Sequence, residues 1–414
     1  LQKRKSPLAF CSESLVTFNE MLLQKIKEMA AGIVGQVISD RRHLHANPEL
    51  SFQEHNTAAY VESRLDEMGV PWKRMANTGI LALIHGSRRS GEVIALRADI
   101  DALPITEANE LPYKSQQPGI MHACGHDAHT SSLLGTVNIL ESLKSAFGGT
   151  VKCIFQPGEE KLPGGASLMI KEGVLKNPVP GAVIGQHTMP SIPAGKIALR
   201  KGRHMASMDE LIVTVHGKGG HGAQPHQNVD PVLIAAHLIT ALQQVVSRMA
   251  NPSMPTVLSF GKVLANGAIN VIPDNLYMEG TFRTMDLSWR DEAHARMKKM
   301  AEGIAEAMGG RCTFIINRGY PALINDEALT GLVQKHASEY LGEENVLEAP
   351  LWMAAEDFAY YGQQAPSCFY LLGVGNEKKG ISSSLHTPGF NIDEDALIHS
   401  TGLMAYLAVK QLGN

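Results

Sequence analysis

Apolar residues near the start of the chain recur at helical spacing. Between Val16 and Arg42 they return every three or four positions, as at Leu22, Ile26 and Met29. This period is typical of an amphipathic helix, in which about 3.6 residues make one turn. We therefore predict a helix that ends near Asn47, and a second helix over residues 56–68.

Short apolar runs of strand length follow these two helices. Helical segments lie between some of the runs, over residues 129–147 and 166–172. Strands that alternate with helices predict an α/β sheet with parallel pairs. The predicted strands are Ile80 to Ile84, Val93 to Leu96, Val151 to Phe155 and Ala182 to Gly185.

A second pattern begins at Arg203 and ends at Cys312. It reads as strand, helix, strand, strand and helix, which is typical of a compact α+β unit. Apolar strand and helix segments then resume at residues 369–372 and 396–409. We predict one domain from residues 15–202 and 313–414, interrupted by an inserted domain over residues 203–312.

Composition and charge limit the kinds of molecule that the protein is expected to bind. Hydrophobic residues make up 44% of the chain and charged residues 19%, as in ordinary globular proteins. The formal net charge is −4, with no long run of either sign, which argues against nucleic acid and anionic membranes as partners. No apolar stretch approaches the roughly 18 residues of a membrane span.

The five cysteines are scattered and odd in number, which does not resemble a disulfide framework. We therefore predict a reducing compartment and a cytoplasmic location. The apolar patch within Leu1 to Ser12 is too weak for a secretory signal, and we leave this segment out of the fold prediction.

The densest chemical signal is the segment from Met121 to His129. It contains Cys124 and His126, whose thiolate and imidazole are ligands for Zn²⁺ and related metals. Gly125 between them allows a turn tight enough for both side chains to face one ion. A second interpretation makes Cys124 a nucleophile that a neighbouring histidine activates. His122, Asp127 and His129 are further potential ligands in the same segment, and for His122 and His129 we predict a supporting or structural role rather than metal binding.

Carboxylates follow two of the predicted strands. Glu159 and Glu160 come after the run that ends at Phe155, and Asp99 and Asp101 come after the run that ends at Leu96. Ligands of α/β sheets bind beyond the carboxyl ends of the strands. On extended backbone, adjacent side chains point opposite ways, so one glutamate can ligate metal while the other serves as general base.

Two lone histidines complete the candidate donors. His187 follows the predicted strand that ends at Gly185, and His386 lies near the C-terminus. Although a lone histidine is usually structural, together with the carboxylates and Cys124 these residues provide enough donors for two metal ions. Two such ions about 3.5–4 Å apart would activate water and polarise a carbonyl.

With these motifs in order along nearly the whole chain, the sequence resembles the M20 metallopeptidase family. The similar branch is aminoacylase-like and includes N-acyl-amino-acid amidohydrolases, hippurate hydrolases and auxin-conjugate hydrolases. The matching segments are residues 42–50, 97–104, 121–129, 156–160, 187–190, 217–231, 270–283, 355–358 and 386–390. The resemblance implies a catalytic α/β domain with a central mixed sheet and a dinuclear metal site. A smaller α+β, ferredoxin-like lid or dimerisation domain interrupts this domain in the sequence.

The resemblance also assigns roles to individual residues. It implies Glu159 as general base, Asp101 as the acid that orients the site, and His221 as a group that helps to bind the scissile carbonyl. It implies that Asn270 and Arg283 hold the substrate carboxylate. The metal ligands that it implies are Cys124, His126, Glu160, His187 and His386, with Cys124 as the bridging ligand.

The activity that follows from the resemblance is hydrolysis of the amide bond of small N-acyl amino acids. Two divalent transition-metal ions (Zn, Mn, Co or Ni) are the expected cofactors, and a homodimer formed through the lid domain is the expected assembly. A dipeptidase or aminopeptidase of the same family, a thiol hydrolase and a protein that only binds metal are the alternatives. Gly158, where we expect alanine, departs from the family pattern.

Overall fold

Helices and strands alternate over most of the chain. In this computed structural model, residues 7–413 are described, with side chains from residue 19 onward. Leu1 to Ser6, part of the segment left out of the fold prediction, lie outside the described residues. The helices are α1 (Pro7–Ala46), α2 (His55–Glu67), α3 (His126–Ser142), α4 (Gly165–Lys171), α5 (Pro231–Gln244), α6 (Leu287–Ala307), α7 (Glu327–Leu341), α8 (Ala359–Gly362) and α9 (Ala396–Leu412).

Within residues 7–413, the strands form one large sheet and three smaller ones. In chain order they are β1 (Trp72–Met75), β2 (Gly79–His85), β3 (Arg88–Asp99), β4 (Gly148–Gln156), β5 (Ala182–Pro193), β6 (Ile197–Leu199), β7 (Gly202–Met205), β8 (Asp209–His216), β9 (Gly220–His221), β10 (Thr256–Ala265), β11 (Val271–Ile272), β12 (Asn275–Thr284), β13 (Arg311–Arg318), β14 (Leu323–Asn325), β15 (Val346–Glu348) and β16 (Ser367–Gly375).

The described chain divides into two units. The first runs to Gly202, resumes for Asn325–Ala349 and includes the residues from Tyr361 onward. The second consists of Arg203–Ile324 and Pro350–Tyr360. The boundary that we placed at Cys312 lies inside β13, which pairs with β8 along its whole length.

The first unit contains a mixed sheet with the strand order β1-β2-β4-β3-β5-β16-β6-β15. β3 is parallel to both β4 and β5, whereas β2 is antiparallel to β4. Every residue of β4 is buried, as expected for a strand with both faces covered. Helices α3 and α9 pack against β3 and against each other. The predicted α/β class with a central mixed sheet is therefore confirmed.

The second unit contains an antiparallel sheet with the order β10-β12-β8-β13. The chain order β8-α5-β10-β12-α6-β13 is that of a ferredoxin-like fold. Alternate residues of β8, including Leu211 and Val213, are buried in its apolar core. Asp230 and Asp286 begin α5 and α6 by accepting hydrogen bonds from the first-turn amides.

One segment among the described residues, Pro231–Met249, is long and apolar enough to cross a membrane by length and composition alone. It consists of α5 and the π-helical turn that continues it. Ile234, Leu238 and Leu242 of this segment are buried in the apolar core of the second unit. Core helices pass the same test of length and composition, so the segment is weak evidence for a membrane helix.

Parallel pairing in the first unit gathers the chemistry-bearing residues at one edge of its sheet. Asp99 at the end of β3 pairs with Gln156 at the end of β4. Arg97 pairs with Gly185, which brings His187 of β5 to the level of Asp99. The carboxyl ends of these strands are where ligands bind in α/β sheets.

Candidate metal centre

Two groups of donor atoms in the first unit share the sulfur of Cys124. In one group, the ligand atoms of Cys124, His126 and His187 all lie within 4.8 Å of one another. In the other, Cys124 is joined by Glu160 and His386 within the same limit. The sulfur lies 3.3 Å from Nε2 of His187 and 3.2 Å from Nε2 of His386. The structure therefore brings together all five residues that we predicted as metal ligands.

A tight turn at Gly125 places Cys124 beside the N-terminus of α3. Gly125 has φ +84°, and a Cβ atom there would lie 2.4 Å from Oγ1 of Thr188. The Thr188 hydroxyl donates a hydrogen bond of 2.7 Å to the carbonyl of Cys124. Only glycine adopts this conformation and tolerates this approach without strain, so Gly125 joins the Cys124 loop closely to the segment that carries His187.

Asp101 orients His126. Nδ1 of His126 lies 2.9 Å from the backbone carbonyl of Asp101 and 3.2 Å from its carboxylate. Asp101 in turn accepts hydrogen bonds from the Ser51 hydroxyl at 2.6 Å and from the backbone N–H of Glu160 at 3.0 Å. Nε2 of His126 is buried and has no hydrogen-bond partner among the described residues, and Oε1 of Glu160 faces Nε2 of His386 at 3.1 Å. Such atoms fit a metal ion, and a carboxylate behind a ligating histidine is the usual supporting arrangement.

His187 is held in place in a similar way to His126. Its Nδ1 lies 2.7 Å from the backbone carbonyl of Thr188, which leaves Nε2 to face the sulfur of Cys124. His129 accepts a hydrogen bond of 2.8 Å from the N–H of Thr188, and its Nδ1 lies 2.6 Å from Asp99. Asp99 also accepts from Arg97. His129 therefore connects Asp99 to the backbone of Thr188, and so holds in place the segment that carries the candidate ligand His187.

The glutamate pair lies in a turn rather than on extended backbone. Gly158 has φ +57°, and Glu159 and Glu160 both follow it in this turn. The expectation that adjacent side chains point to opposite faces therefore does not apply. The ligand atoms of Glu159, Glu160 and His126 instead lie within 4.8 Å of one another. Glu159 is buried, so its carboxylate is held close to the candidate metal position.

The site is strongly negative in electrostatic terms. Burial alone would lower the pKa of His126, but Asp99 and Asp101 raise it to about 10. Burial, Glu160, Glu159 and Asp99 all raise the pKa of the Cys124 thiol well above its ordinary value. Crowded carboxylates beside neutral donors favour a bound cation. The donor set therefore fits a divalent metal centre.

Asp127 and His122, which we counted as potential ligands, do not join either donor group. Asp127 is buried and accepts a hydrogen bond of 2.9 Å from Nε of Arg41, with Nδ1 of His45 at 2.7 Å. Both ring nitrogens of His122 are buried without a hydrogen-bond partner among the described residues. Burial lowers the pKa of His122 to about 4, so the ring is neutral at physiological pH.

The predicted lid residues all lie in the second unit. His221 on β9 pairs with Val271 on β11, and the N–H of Gly222 donates to the carbonyl of Asn270 at 2.8 Å. The structure thus brings His221 and Asn270 to neighbouring positions on an exposed two-stranded sheet. Arg283 lies on β12 instead, where it donates a hydrogen bond of 3.0 Å to the carbonyl of Met353.

Sequence reasoning missed the contribution of the loop between α1 and α2. Neither Glu54 nor Ser51 is among the predicted site residues, yet both contact the residues that form the site. The only available signal was their place directly after the segment 42–50, which matches the family pattern. Contacts between residues some 50 or 100 positions apart have no periodicity that a single sequence reveals.

Known proteins resemble the chain along most of its length. It is 41% identical over 378 residues to the N-acetyl-L-cysteine deacetylase of Bacillus subtilis (strain 168), covering 91% of this chain and 88% of that protein. It is 42% identical over 306 residues to the N-acyl-L-amino acid amidohydrolase of Geobacillus stearothermophilus, covering 74% of this chain and 82% of that protein.

Solved structures resemble it as well. The crystal structure of the Bacillus subtilis YXEP protein, described as a dinuclear metal binding peptidase from the M20 family, superposes with a TM-score of 0.80 at 36% identity. The match covers 92% of this chain and 99% of that one. The family model described as Peptidase family M20/M25/M40 matches residues 95–410. Because this match and these identities extend over most of the sequence, the chain belongs to peptidase family M20/M25/M40.

Proposed function

We propose that the chain is a metal-dependent amidohydrolase that cleaves N-acyl amino acids to a carboxylic acid and a free amino acid. The observation that carries the proposal is the pair of donor groups that share Cys124. Two relatives are named for the deacetylation or hydrolysis of N-acyl amino acids. Membership of the family makes the chain a hydrolase that acts on amide bonds.

In the proposed site, the two donor groups that share Cys124 would hold two divalent ions (Zn, Mn, Co or Ni). His126 and His187 would join Cys124 in one group, and Glu160 and His386 would join it in the other. A mixed set of thiolate, imidazole and carboxylate donors suits all four metals. When bound, such ions polarise a carbonyl and make a water molecule acidic enough to attack near neutral pH.

The residues of the chain then supply binding and proton transfer. Glu159 takes a proton from the attacking water and delivers it to the leaving amine, as a general base and then a general acid. Asp101 keeps Nε2 of His126 directed at the metal through its contact with Nδ1. His221 donates to the oxygen on which negative charge develops, and Asn270 and Arg283 hold the substrate carboxylate.

The experiment that tests this function is hydrolysis of N-acetyl, N-benzoyl and indole-acyl amino acids by protein reconstituted with each metal. Dialysis against a chelator should abolish release of the amino acid, and Mn²⁺, Zn²⁺, Co²⁺ or Ni²⁺ should restore it, because unassisted water has a pKa of about 15.7. Far-UV circular dichroism should stay unchanged, since the core is apolar. Full hydrolysis by metal-free protein would contradict the proposal.

A peptidase activity is the second candidate, because the YXEP protein is described as a peptidase. Dipeptides belong in the same substrate panel for that reason. The surroundings of Cys124 disfavour a thiol hydrolase: a reactive thiol needs cationic neighbours that lower its pKa, whereas burial and three carboxylates raise it here. A protein that only binds metal has no need of a buried Glu159 beside its ligands.

We further propose a homodimer formed through the second unit. Large apolar side chains of this unit are exposed on α5, at Val232 and Leu233, and on β10, at Val263 and Leu264. β10 is an edge strand of its sheet. Exposed apolar edges of this kind are typical of subunit interfaces. A cytoplasmic location stays a prediction from the number and scatter of the cysteines.

A further inference from the structure

The loop between α1 and α2 contacts the candidate metal centre at two points. The Ser51 hydroxyl donates to the carboxylate of Asp101 at 2.6 Å. The fully buried carboxylate of Glu54 accepts a hydrogen bond of 2.8 Å from the backbone N–H of Gly158. Gly158 directly precedes the glutamate pair, so Glu54 holds the turn that presents Glu159 and Glu160.

Three donors surround the carboxylate of Glu54. Oε1 accepts from the N–H of Phe52 at 2.7 Å as well as from Gly158, and Oε2 accepts from the Thr78 hydroxyl at 2.7 Å. No basic side chain among the described residues forms an ion pair with Glu54. A buried carboxylate without a cation is costly unless hydrogen bonds compensate it. All three donors are neutral, and two of them are backbone amides whose positions the carboxylate fixes.

The Gly158 turn packs directly against the loop between α1 and α2. Gly158 has φ +57°, and the ring of Phe52 lies where a Cβ atom of residue 158 would be, 2.3 Å from Cε1. Phe52 itself has φ +66°. Phe52 therefore has a backbone conformation that is rare for a residue with a side chain, and Glu54 accepts one amide hydrogen bond from Phe52 and one from the Gly158 turn. Such conformations persist only where surrounding contacts hold them.

We propose that Glu54 is a positioning residue, which holds the Gly158 turn so that Glu159 and Glu160 reach the metal centre. The inference rests on the proposed function and adds to it a residue outside the ligand set. Through Glu54, the loop between α1 and α2 affects the metal centre although this loop contributes no metal ligand. The structural alternative is that Glu54 only stabilises the fold.

Three substitutions at Glu54 separate these possibilities. Glu54→Ala removes the acceptor, and Glu54→Asp keeps a carboxyl group but withdraws it by one methylene. Glu54→Gln keeps an oxygen that accepts from both amides. We expect Ala and Asp to lower kcat about 10–100-fold, the usual cost of losing a group that supports metal ligands. Gln should retain kcat to within about threefold, with KM little changed in all three.

Glu49→Ala is the matched control. Glu49 lies in the same loop and accepts hydrogen bonds from the N–H groups of Asn56 and Thr57 at the start of α2. Losing such a cap should lower the melting temperature without changing kcat. A kcat for Glu54→Ala and Glu54→Asp equal to that of Glu49→Ala would overturn the inference.

A readout independent of activity is retention of Zn²⁺ against a competing chelator. The Ala and Asp variants should bind Zn²⁺ about tenfold more weakly than wild type, because Glu160 is misplaced. Unchanged affinity in both would contradict the inference even if the wild-type protein hydrolyses no N-acyl amino acid. Failure of the wild-type protein on the whole panel, with the affinity difference present, would overturn the proposed function alone.

Discussion

At the scale of single residues, the structure separates the two glutamates that follow β4. Oε1 of Glu160 lies 3.1 Å from Nε2 of His386, within the second donor group, whereas Glu159 is absent from both groups that contain Cys124. Glu159→Gln should therefore retain metal but lose proton transfer, which is worth about 10²–10⁴-fold in kcat. Glu160→Gln should lose metal as well. Metal analysis beside steady-state kinetics checks both variants, and the reverse pattern would mean that base and ligand are exchanged.

The glycine where we expected alanine has a physical explanation. A side chain at position 158 would strain the backbone, which has a positive φ there, and its methyl group would overlap the ring of Phe52. Gly158→Ala should reduce the free energy of unfolding by about 1–3 kcal/mol, the usual cost of overpacking, as measured by urea denaturation. Phe52→Leu in the same chain should recover part of the loss.

Gly32→Ala serves as the control for this prediction. Gly32 lies within α1 with nothing near its Cα, so a methyl group there should stabilise the helix by about 0.5–1 kcal/mol. A loss at Gly158 no larger than the change at Gly32 would mean that the Phe52 contact is not tight in solution.

At the scale of elements, a buried ion pair joins β8 to α6 in the second unit. Asp209 at the start of β8 accepts hydrogen bonds from Arg290 and lies 2.6 Å from Nε2 of His294. Burial alone would raise the pKa of Asp209, but the hydrogen bonds from His294 and Arg290 hold it below its ordinary value. A lowered folded pKa adds stability that is complete above the unfolded pKa, near pH 4, and disappears as pH falls through the folded value.

Asp209→Asn should remove this pH dependence. The variant should be less stable than wild type at neutral pH by about 3–5 kcal/mol, because Arg290 stays buried without its partner. The difference in melting temperature should narrow as pH falls below about 4. A difference that stays constant between pH 7 and pH 3 would show that the carboxylate charge of Asp209 does not stabilise the unit.

The helices and strands with a clear apolar period were predicted from the sequence, whereas the turns that depend on positive φ angles were not. The apolar runs at Val93 and Val151 became β3 and β4, and Glu159 and Glu160 after β4 lie within 4.8 Å of the ligand atom of His126. α3 begins at His126 rather than His129, because Gly125 with positive φ precedes it in place of an ordinary cap. The Gly158 turn and its support from Glu54 depend on contacts across about 100 positions of sequence, which no local pattern reports.

At the scale of the whole molecule, the proposed dimer bears on whether one chain holds a complete site. His221 is exposed in the second unit, and its Nδ1 accepts a hydrogen bond from the N–H of Ala223. It lies near Asn270, the proposed carboxylate-binding residue, which directly precedes β11. The five candidate ligands belong to the first unit. Family resemblance suggests that His221 serves the metal centre of the partner subunit.

Mixing two inactive variants tests this sharing of sites. His221→Ala should raise the activation free energy of hydrolysis by about 2.7–4 kcal/mol, by analogy with the loss of one oxyanion donor. The variant should keep its metal content. Glu159→Gln loses the base. If His221 acts on the partner's site, a heterodimer of the two variants carries one site with both residues intact, and subunit exchange should restore hydrolysis. Unmixed variants under the same conditions are the control. Exchange that is demonstrated by labelled subunits but restores no activity would show that His221 acts within its own chain or has no role in turnover.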